Sequence, residues 1–391
     1  MKNEESRRQG WGFATRALHV GQGPDPATGA VVQPIHMATT YAQQGVGKHR
    51  GFEYSRSGNP TRQALEECLG ALEQARHSLA FSSGLGAETT LMFLLKPGDH
   101  VVYMEDVYGG TYRLFDKVMK RFGLTFSAVD ASDLDAVEHA ITPQTRLVWL
   151  ESPTNPLLRV VDIDAVSEVA HSHGSMVCVD NTFATPYLQQ PLHLGADLVV
   201  HSSTKYIGGH SDVVGGAIMT SDDDLEKQLR FHQNAIGAVP SPFDCWLLLR
   251  GVKTLALRVE RQCENAMAIA RALEGNRAVY RVHYPGLESH AHRSVAQRQM
   301  RLFGGMVSFE VKDERTALRV LEGLEIFALA ESLGAVESLA EHPARMTHAS
   351  MPASERERAG VGDGLIRLSV GVEDPADLLA DLEHAISAVN A

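Results

Sequence analysis

The sequence predicts an α/β fold with a mostly parallel, doubly wound sheet, followed by a smaller α+β region at the C-terminus. Two observations carry this prediction. From residue 59 to about residue 250, short apolar runs alternate with helical stretches, which is the pattern of β-α-β units in a parallel sheet. Beyond about residue 251 a long helical pattern runs through Ala272, and further strands and helices follow it.

The helices and strands of this pattern can be bounded from local signals. The first helix is predicted to begin at Pro60, because Asn59 is a favourable N-cap and proline fits the first helical position. Another helix is predicted over residues 162–173, with Asp162 as its cap and Gly174 as its end. The predicted strands are His100–Glu105, Arg146–Glu151, Met176–Asp180, Asp197–His201 and Ala217–Thr220 in the sheet region, then the chain around Val282, Gly304–Val311 and Leu365–Val370.

These patterns divide the 391 residues into three parts. Residues 1–55 are polar, rich in Gly, Gln and Pro, and lack a long periodic segment, so they are interpreted as an extended N-terminal arm. Residues 56–250 form the predicted large domain, and residues 251–391 form the C-terminal α+β domain. An extended arm needs a surface to lie on.

Composition limits the classes of function. The net charge is −12 and the pI is about 5.8, so the basic surface of a general nucleic-acid-binding protein is not expected. The first ten residues have no apolar core, and no apolar run approaches the ~20 residues that span a bilayer, so neither a secretory signal nor a membrane span is predicted. The four cysteines are scattered without a CxxC pair, so we expect no metal site and a cytoplasmic location.

Two polar residues at the ends of apolar runs are candidates for chemistry. Asp180 follows a predicted strand, where it could close a turn or pair with a protonated pyridine nitrogen, which keeps such a ring able to accept electrons. Lys205 follows the next apolar run, in the polar segment HSSTKYIGGHSD. A lysine in such a loop is usually only solvated, but a desolvated lysine near cations becomes a nucleophile.

Two further segments complete the candidate chemistry. In FSSGLGAETTLMFLL, Gly84 opens a helix whose free N–H groups and dipole favour a phosphate, although such helix starts are common. In LIRLSVG, Arg367 alternates with apolar residues, and it is either a surface residue or a clamp for a carboxylate. A phosphate cradle, a pyridinium partner, a nucleophilic lysine and a carboxylate clamp are together the parts needed for pyridoxal-5′-phosphate (PLP) chemistry on an amino acid.

The chain resembles the Cys/Met-metabolism family of PLP enzymes, which includes cystathionine γ-synthase, cystathionine γ-lyase, cystathionine β-lyase and methionine γ-lyase. The matching segments run through nearly the whole chain. They are EYSRSGNPTR, FSSGLGA, VYGGTYR, ESPTNP, VDNTFATP, HSSTKYIGGHSDVVGG, AESLGAVESLAEHPARMTH and LIRLSVGVED. The resemblance implies a PLP-dependent enzyme of fold type I that acts on an amino-acid substrate and forms a homotetramer of active-site dimers.

The resemblance also implies roles for individual residues. Lys205 would hold PLP as a Schiff base and move protons, Asp180 would pair with the pyridine nitrogen, and Tyr108 would stack on the ring as a possible acid or base. The other residues that it implies for cofactor binding are Gly84, Leu85, Ser202, Thr204 and Thr182, with Tyr54 and Arg56 reaching the phosphate of the neighbouring subunit. Those implied for substrate binding are Asn155, Ser332, Arg367, Arg113, Glu331 and Glu53.

Three residues guide the choice of reaction within the family. Gly110 stands where methionine γ-lyases typically carry a cysteine, which disfavours methionine as the substrate. Glu331 is typical of the γ-enzymes that handle cystathionine, because a carboxylate there can meet the distal ammonium group, and Glu53 is a second possible contact. The segments GFEYSRSGNPTR and FALAESLGAVESLAEHPARMTHAS most resemble cystathionine γ-lyases. We therefore expect a carbon–sulfur lyase, cystathionine γ-lyase. Cystathionine γ-synthase is the main alternative, and methionine γ-lyase and O-acetylhomoserine sulfhydrylase are less favoured.

The sequence disfavours two functions from other classes of protein. A nucleotide-dependent oxidoreductase would carry a GxGxxG segment after an early strand, and the sequence has none there. A non-catalytic scaffold would have no need of both Lys205 and Asp180.

Overall fold

The computed structural model describes residues 10–349 and 351–389, and it contains two β-sheets. The larger has seven strands in the order β1-β7-β6-β5-β4-β2-β3, and the smaller has five in the order β10-β11-β12-β9-β8. The strands are β1 (His77–Phe81), β2 (His100–Met104), β3 (Thr125–Val129), β4 (Thr145–Glu151), β5 (Met176–Asp180), β6 (Leu198–His201), β7 (Gly216–Thr220), β8 (Arg281–His283), β9 (Met306–Glu310), β10 (Ala328–Leu329), β11 (Leu339–Glu341) and β12 (Leu365–Ser369). The predicted α/β fold with a seven-stranded sheet and a second, smaller region is therefore confirmed.

Helices connect most of these strands. The α-helices are α1 (Phe13–His19), α2 (Pro60–Glu73), α3 (Gly84–Met92), α4 (Gly109–Arg113), α5 (Leu134–Ala140), α6 (Ile163–Ser172), α7 (Thr185–Leu188), α8 (Asp223–Ile236), α9 (Pro242–Val252), α10 (Leu255–Glu274), α11 (Arg293–Gln299), α12 (Glu314–Glu322), α13 (Ala353–Ala359) and α14 (Pro375–Ala388). A π-helical turn at Leu114–Val118 and 3₁₀ turns at Met119–Phe122 and Pro191–Leu194 complete the set that the described residues form.

The five strands predicted in the sheet region are found within one residue of their predicted ends. The sequence did not indicate β1 or β3. Among the described residues, β3 pairs only with β2, and all of its residues are exposed or half-buried, so it lacks the continuous apolar run of a central strand. The long helical pattern predicted from about residue 251 through Ala272 corresponds to α10, which begins at Leu255 and ends at Glu274, whereas α9 was not predicted.

The chain forms two compact units. Unit 1 consists of the chain up to Leu95 together with Asp197–Ala256, and unit 2 consists of Lys96–Ala196 together with the chain from Leu257 onward. The predicted domain boundaries at 55 and 250 remain a prediction.

In unit 1, β7 pairs antiparallel with β1 and with β6, and helix α2 packs on β1 and β7. This helix begins as predicted, because the Asn59 side chain accepts hydrogen bonds from the backbone N–H groups of Thr61 and Arg62. The first nine residues of the predicted arm lie outside the described residues. The rest of the arm contains the helix α1, whose Arg16 side chain donates a hydrogen bond to the Ala71 carbonyl of α2 at 2.8 Å.

In unit 2, β3, β2, β4 and β5 are parallel neighbours, so their carboxyl ends lie at one edge of the sheet. The register sets Glu151 at the end of β4 opposite Asp180 at the end of β5. In the five-stranded sheet, β8, β9, β12 and β11 pair antiparallel, and the apolar face of this sheet packs against α12 and α14. Within the described part of the chain, no helix combines the length and apolarity needed to cross a bilayer.

Candidate functional site

Lys205 of unit 1 lies in the turn that follows the buried strand β6. Its backbone N–H donates to the Ser202 carbonyl at 3.2 Å, and its carbonyl accepts from the Gly209 N–H at 2.7 Å. The side chain is half-buried. The backbone at the root of this lysine is thus held on both sides, which limits the positions that its amino group can reach.

The start of helix α3 lies directly against the loop that follows β6. Ser83 caps the helix, since its Oγ accepts from the Gly86 N–H at 2.9 Å. A Cβ added to Gly84 would lie 3.0 Å from Cβ and 3.2 Å from Cα of Ser202. Any larger residue would make a tight contact and force Ser202 to shift by a few tenths of an ångström. Free N–H groups at a helix start bind anions well. Gly84 and Ser202 therefore form a cradle suited to a phosphate, with Leu85 half-buried beside it in the helix.

Thr204 has a second role in the same loop. Its hydroxyl donates to the Gly215 carbonyl at 3.1 Å and accepts from the Gly215 N–H at 3.0 Å. This pair of bonds closes the loop that carries Lys205. The Thr204 hydroxyl, which was predicted to bind phosphate, therefore also makes two hydrogen bonds to the loop backbone.

The predicted residues of the N-terminal region are exposed. Arg56 lies with its guanidinium 5.6 Å from the centre of the Tyr54 ring and donates to the carbonyl of Asn234 at 2.7 Å. The Glu53 carboxylate is 57% exposed and lies 3.5 Å from the His49 imidazole. These side chains are available on the surface of the chain.

Three carboxyl groups are buried at the carboxyl ends of neighbouring strands of unit 2. Asp106, Glu151 and Asp180 follow or end β2, β4 and β5, and they are 0%, 4% and 8% exposed. Burial raises the pKa of Asp106 to about 7. Burial, reinforced by the neighbouring Asp180, raises the pKa of Glu151 well above its usual range. Sequence reasoning identified Asp180 alone, although all three follow buried strands and Glu151 opens the ESPTNP segment.

Hydrogen bonds fix two of these carboxyl groups to the adjoining loops. Asp180 accepts from the backbone N–H of Thr182 at 3.0 Å. Glu151 accepts from the backbone N–H of Tyr108 at 2.9 Å and from that of Asn155 at 2.8 Å. Glu151 thereby joins two predicted site residues that lie on different loops.

The Tyr108 ring lies over the start of helix α4 and is 37% exposed. A Cβ added to Gly110 would lie 2.3 Å from a carbon of that ring. A side chain at position 110 would therefore displace the tyrosine ring, which is a physical reason for a glycine at this position. Arg113 ends the same helix and is exposed.

Arg367 is buried, at 1% exposure, on the central strand β12 of the smaller sheet. It donates to the Asn155 Oδ1 at 2.7 Å and to the Ser332 carbonyl at 2.9 Å, and its Nη1 lies 2.9 Å from the Glu341 carboxylate. The sequence left two interpretations of Arg367, a surface residue or a carboxylate clamp, and its burial excludes the first. Unit 2 thus brings together Asn155, Ser332 and Arg367. Glu341 was missed, although it stands opposite Arg367 in the strand register.

Comparison with known proteins places the chain in a family. The model of the Cys/Met metabolism PLP-dependent enzymes matches residues 14–387. The chain belongs to this family. Its members depend on PLP, and the fold and the PLP dependence implied by the sequence are therefore confirmed.

Relatives within the family carry different activities in their names. The chain is 55% identical to a cystathionine β-lyase of Coxiella burnetii over 95% of this chain and 97% of the relative. It is 55% identical to a cystathionine γ-synthase of Mycobacterium bovis over 99% and 100% of the two chains. It is also 55% identical to a cystathionine γ-lyase of Dictyostelium discoideum over 96% and 97%. Similarity alone therefore identifies the family and leaves the reaction open among these three.

Each unit of this Cys/Met-metabolism chain carries residues that suit one part of PLP. PLP supplies a ring that accepts the electrons released at the α-carbon of an amino acid. In unit 1, the helix start at Gly84 beside Ser202 offers N–H donors for a phosphate. In unit 2, the buried Asp180 offers a carboxylate suited to a protonated pyridine nitrogen.

The phosphate cradle can be tested with Gly84→Ala. The added methyl would press on Ser202, and we expect apoprotein to bind PLP about tenfold more weakly, because overpacking by one methyl costs on the order of 1–3 kcal/mol. Absorbance titration of apoprotein with PLP measures this affinity. Gly362→Ala is the matched control, since its Cβ would meet nothing within 4 Å. Unchanged PLP affinity in Gly84→Ala would contradict the cradle.

Proposed function

We propose that this enzyme cleaves L-cystathionine, with water, to L-cysteine, 2-oxobutanoate and ammonia by α,γ-elimination. One observation carries the proposal. Glu331 is exposed and adjoins Ser332, whose carbonyl is held by the buried Arg367. If Arg367 binds the α-carboxylate of the substrate, a carboxylate stands one residue away from that clamp. It suits the distal ammonium group that cystathionine carries and methionine lacks.

The proposed roles follow from the chemistry of each side chain. Lys205 holds the cofactor and takes the proton from Cα of the substrate. Asp180 keeps the pyridine nitrogen protonated, and Tyr108 stacks on the ring and transfers protons. Arg367 and Asn155 orient the substrate α-carboxylate. The remaining predicted contacts are proposed as assigned from the sequence: Leu85, Ser202, Thr204 and Thr182 to the cofactor, and Ser332, Arg113 and Glu53 to the substrate.

The bond changes balance with water as the added reactant. After a proton leaves Cα and another leaves Cβ, the Cγ–S bond breaks and its electron pair stays on sulfur. One proton goes to the sulfur, which gives cysteine, and the other goes to Cγ of the four-carbon fragment. The four-carbon fragment takes up water and loses ammonia, which gives 2-oxobutanoate.

The exposed residues of the N-terminal region support a second element of the proposal. Tyr54 and Arg56 are exposed in the single chain, as residues that serve a neighbouring subunit would be. We propose that they reach the cofactor phosphate of a second copy of this chain in a homotetramer.

Cystathionine γ-synthase is the second candidate, and a specific observation favours it. The γ-synthase of Mycobacterium bovis aligns over the full length of that relative, at the same identity as the γ-lyase. In that reaction the γ-substituent of an O-acyl-homoserine leaves and the thiol of cysteine adds at Cγ. The same residues serve both reactions, so the two differ only in the fate of the four-carbon fragment.

A product assay separates these reactions. We expect cystathionine alone to yield 2-oxobutanoate and cysteine with a higher kcat/KM than the enzyme shows for forming cystathionine from O-acyl-homoserine and cysteine. Liquid chromatography with mass detection measures all products. Rapid cystathionine synthesis with negligible cleavage would identify a γ-synthase, and release of pyruvate and homocysteine would identify a β-lyase. Either result would contradict the proposal.

The role of Glu331 can be tested with Glu331→Gln. An exposed ion pair contributes at most about 1 kcal/mol, so kcat/KM for cystathionine should fall by roughly fivefold, mainly through KM. A homocysteine thioether without the distal amino group should be used equally well by both proteins. Glu383→Gln, which changes an exposed glutamate on helix α14, is the control and should match the wild type. An equal loss on both substrates would show that Glu331 does not meet the distal ammonium.

A further inference from the structure

The carboxyl group of Glu151 is buried where the chain leaves strand β4. At 4% exposure it is cut off from water, and a carboxyl group in that position is costly unless its oxygens accept hydrogen bonds. Each oxygen has one backbone N–H donor: Oε2 accepts from Tyr108 and Oε1 accepts from Asn155. One side chain therefore ties together the loop after β2 and the loop after β4.

The two tied residues are those that unit 2 presents for the ring and the substrate. Tyr108 precedes helix α4, and its ring is partly exposed. The Asn155 side chain accepts from Arg367, and its carbonyl accepts from the buried His348 Nε2 at 3.1 Å. Asn155 is thus held through its carbonyl and side chain by the C-terminal part of the chain, and through its N–H by Glu151.

The groups around Glu151 explain why a carboxyl group fits there better than an amide. Two N–H donors approach two different oxygens, and a glutamine would offer one oxygen and one NH₂ group. The NH₂ group would face an N–H donor and lose that bond. Burial, reinforced by the neighbouring Asp180 and Asp106, raises the pKa of Glu151, and the hydrogen bonds from the two backbone N–H groups oppose this shift.

We propose that Glu151 is a positioning residue that sets the loops bearing Tyr108 and Asn155 in fixed relation to each other. This inference rests on the roles proposed above for Tyr108 and Asn155. Glu151 itself acts through their backbone N–H groups. Its loss would leave both residues in the chain but would free them to move by the fraction of an ångström that matters for proton transfer and orientation.

Glu151→Gln tests this proposal in two independent ways. In the apoprotein, hydrogen–deuterium exchange followed by mass spectrometry should show about tenfold faster exchange in the peptide spanning residues 105–112, in the peptide spanning 150–158, or in both. In the PLP-loaded enzyme, kcat for cystathionine should fall roughly tenfold to a hundredfold, while KM changes less than threefold. Glu151→Asp, whose carboxylate is one methylene too short for either donor, should change both quantities in the same direction and gives a second test if the glutamine variant does not fold.

Asp381→Asn is the matched control for loss of a buried carboxyl group. Asp381 is 8% exposed and accepts from the backbone N–H groups of Glu325, Ile326 and Phe327 in the same unit. Its variant should exchange faster around residues 323–328 and keep the wild-type kcat.

Two results would overturn the proposal. One is a folded Glu151 variant with wild-type exchange in both peptides, and the other is faster exchange in those peptides with wild-type kcat. Failure of the wild-type enzyme to cleave cystathionine would instead contradict the proposed function. It would leave the exchange result intact, because that measurement uses no substrate.

Discussion

The conformation of the loops at the carboxyl edge of the parallel sheet in unit 2 depends on how the buried carboxyl groups there are stabilised. Moving a carboxylate out of water costs several kcal/mol unless hydrogen bonds or opposite charges replace its hydration. Asp106, Glu151 and Asp180 meet this constraint in different ways. Asp106 accepts from the Thr154 hydroxyl at 2.7 Å, Glu151 accepts two backbone N–H groups, and Asp180 accepts the Thr182 N–H. Their bonds fix the loops at this edge, so the same interactions that stabilise the strand ends also order the residues proposed for chemistry.

The Arg367–Glu341 pair shows that a buried cation must likewise be compensated by an opposite charge and by hydrogen bonds. Both side chains are at most 2% exposed, so neither can be left without its partner at low cost. Arg367 also donates to Asn155 and to the Ser332 carbonyl, which spreads its donors over three elements. These contacts fix the guanidinium in place. If Arg367 binds the substrate carboxylate as proposed, this order before binding reduces the entropy lost on binding.

Much of the fold could be predicted because its signals are local. Apolar runs located eight strands, and Asn59-Pro60 located the start of α2, because strand burial and helix capping are encoded within a few residues. The edge strand β3 was missed because its pattern is weak. Asp180, Lys205, Gly84 and Arg367 were recognisable because each interrupts or ends a periodic segment.

Glu151 and Glu341 could not be predicted from the sequence for one shared reason. Glu151 and Glu341 matter through partners that are distant in sequence: Tyr108 for the first and Arg367 for the second. Only the strand register and the loop conformations bring these groups together. The burial that excludes a surface role for Arg367 is likewise a property of the assembled sheet, since alternation along one strand cannot tell a solvent face from a second packed face.

The most direct test of the account is to identify the lysine that carries PLP. Reduction of the PLP-loaded enzyme with borohydride fixes the cofactor to its lysine, and peptide mapping by mass spectrometry then locates it. We predict a single modified peptide that contains Lys205. A cofactor fixed to another lysine, or a protein that acquires no label after incubation with PLP, would contradict it.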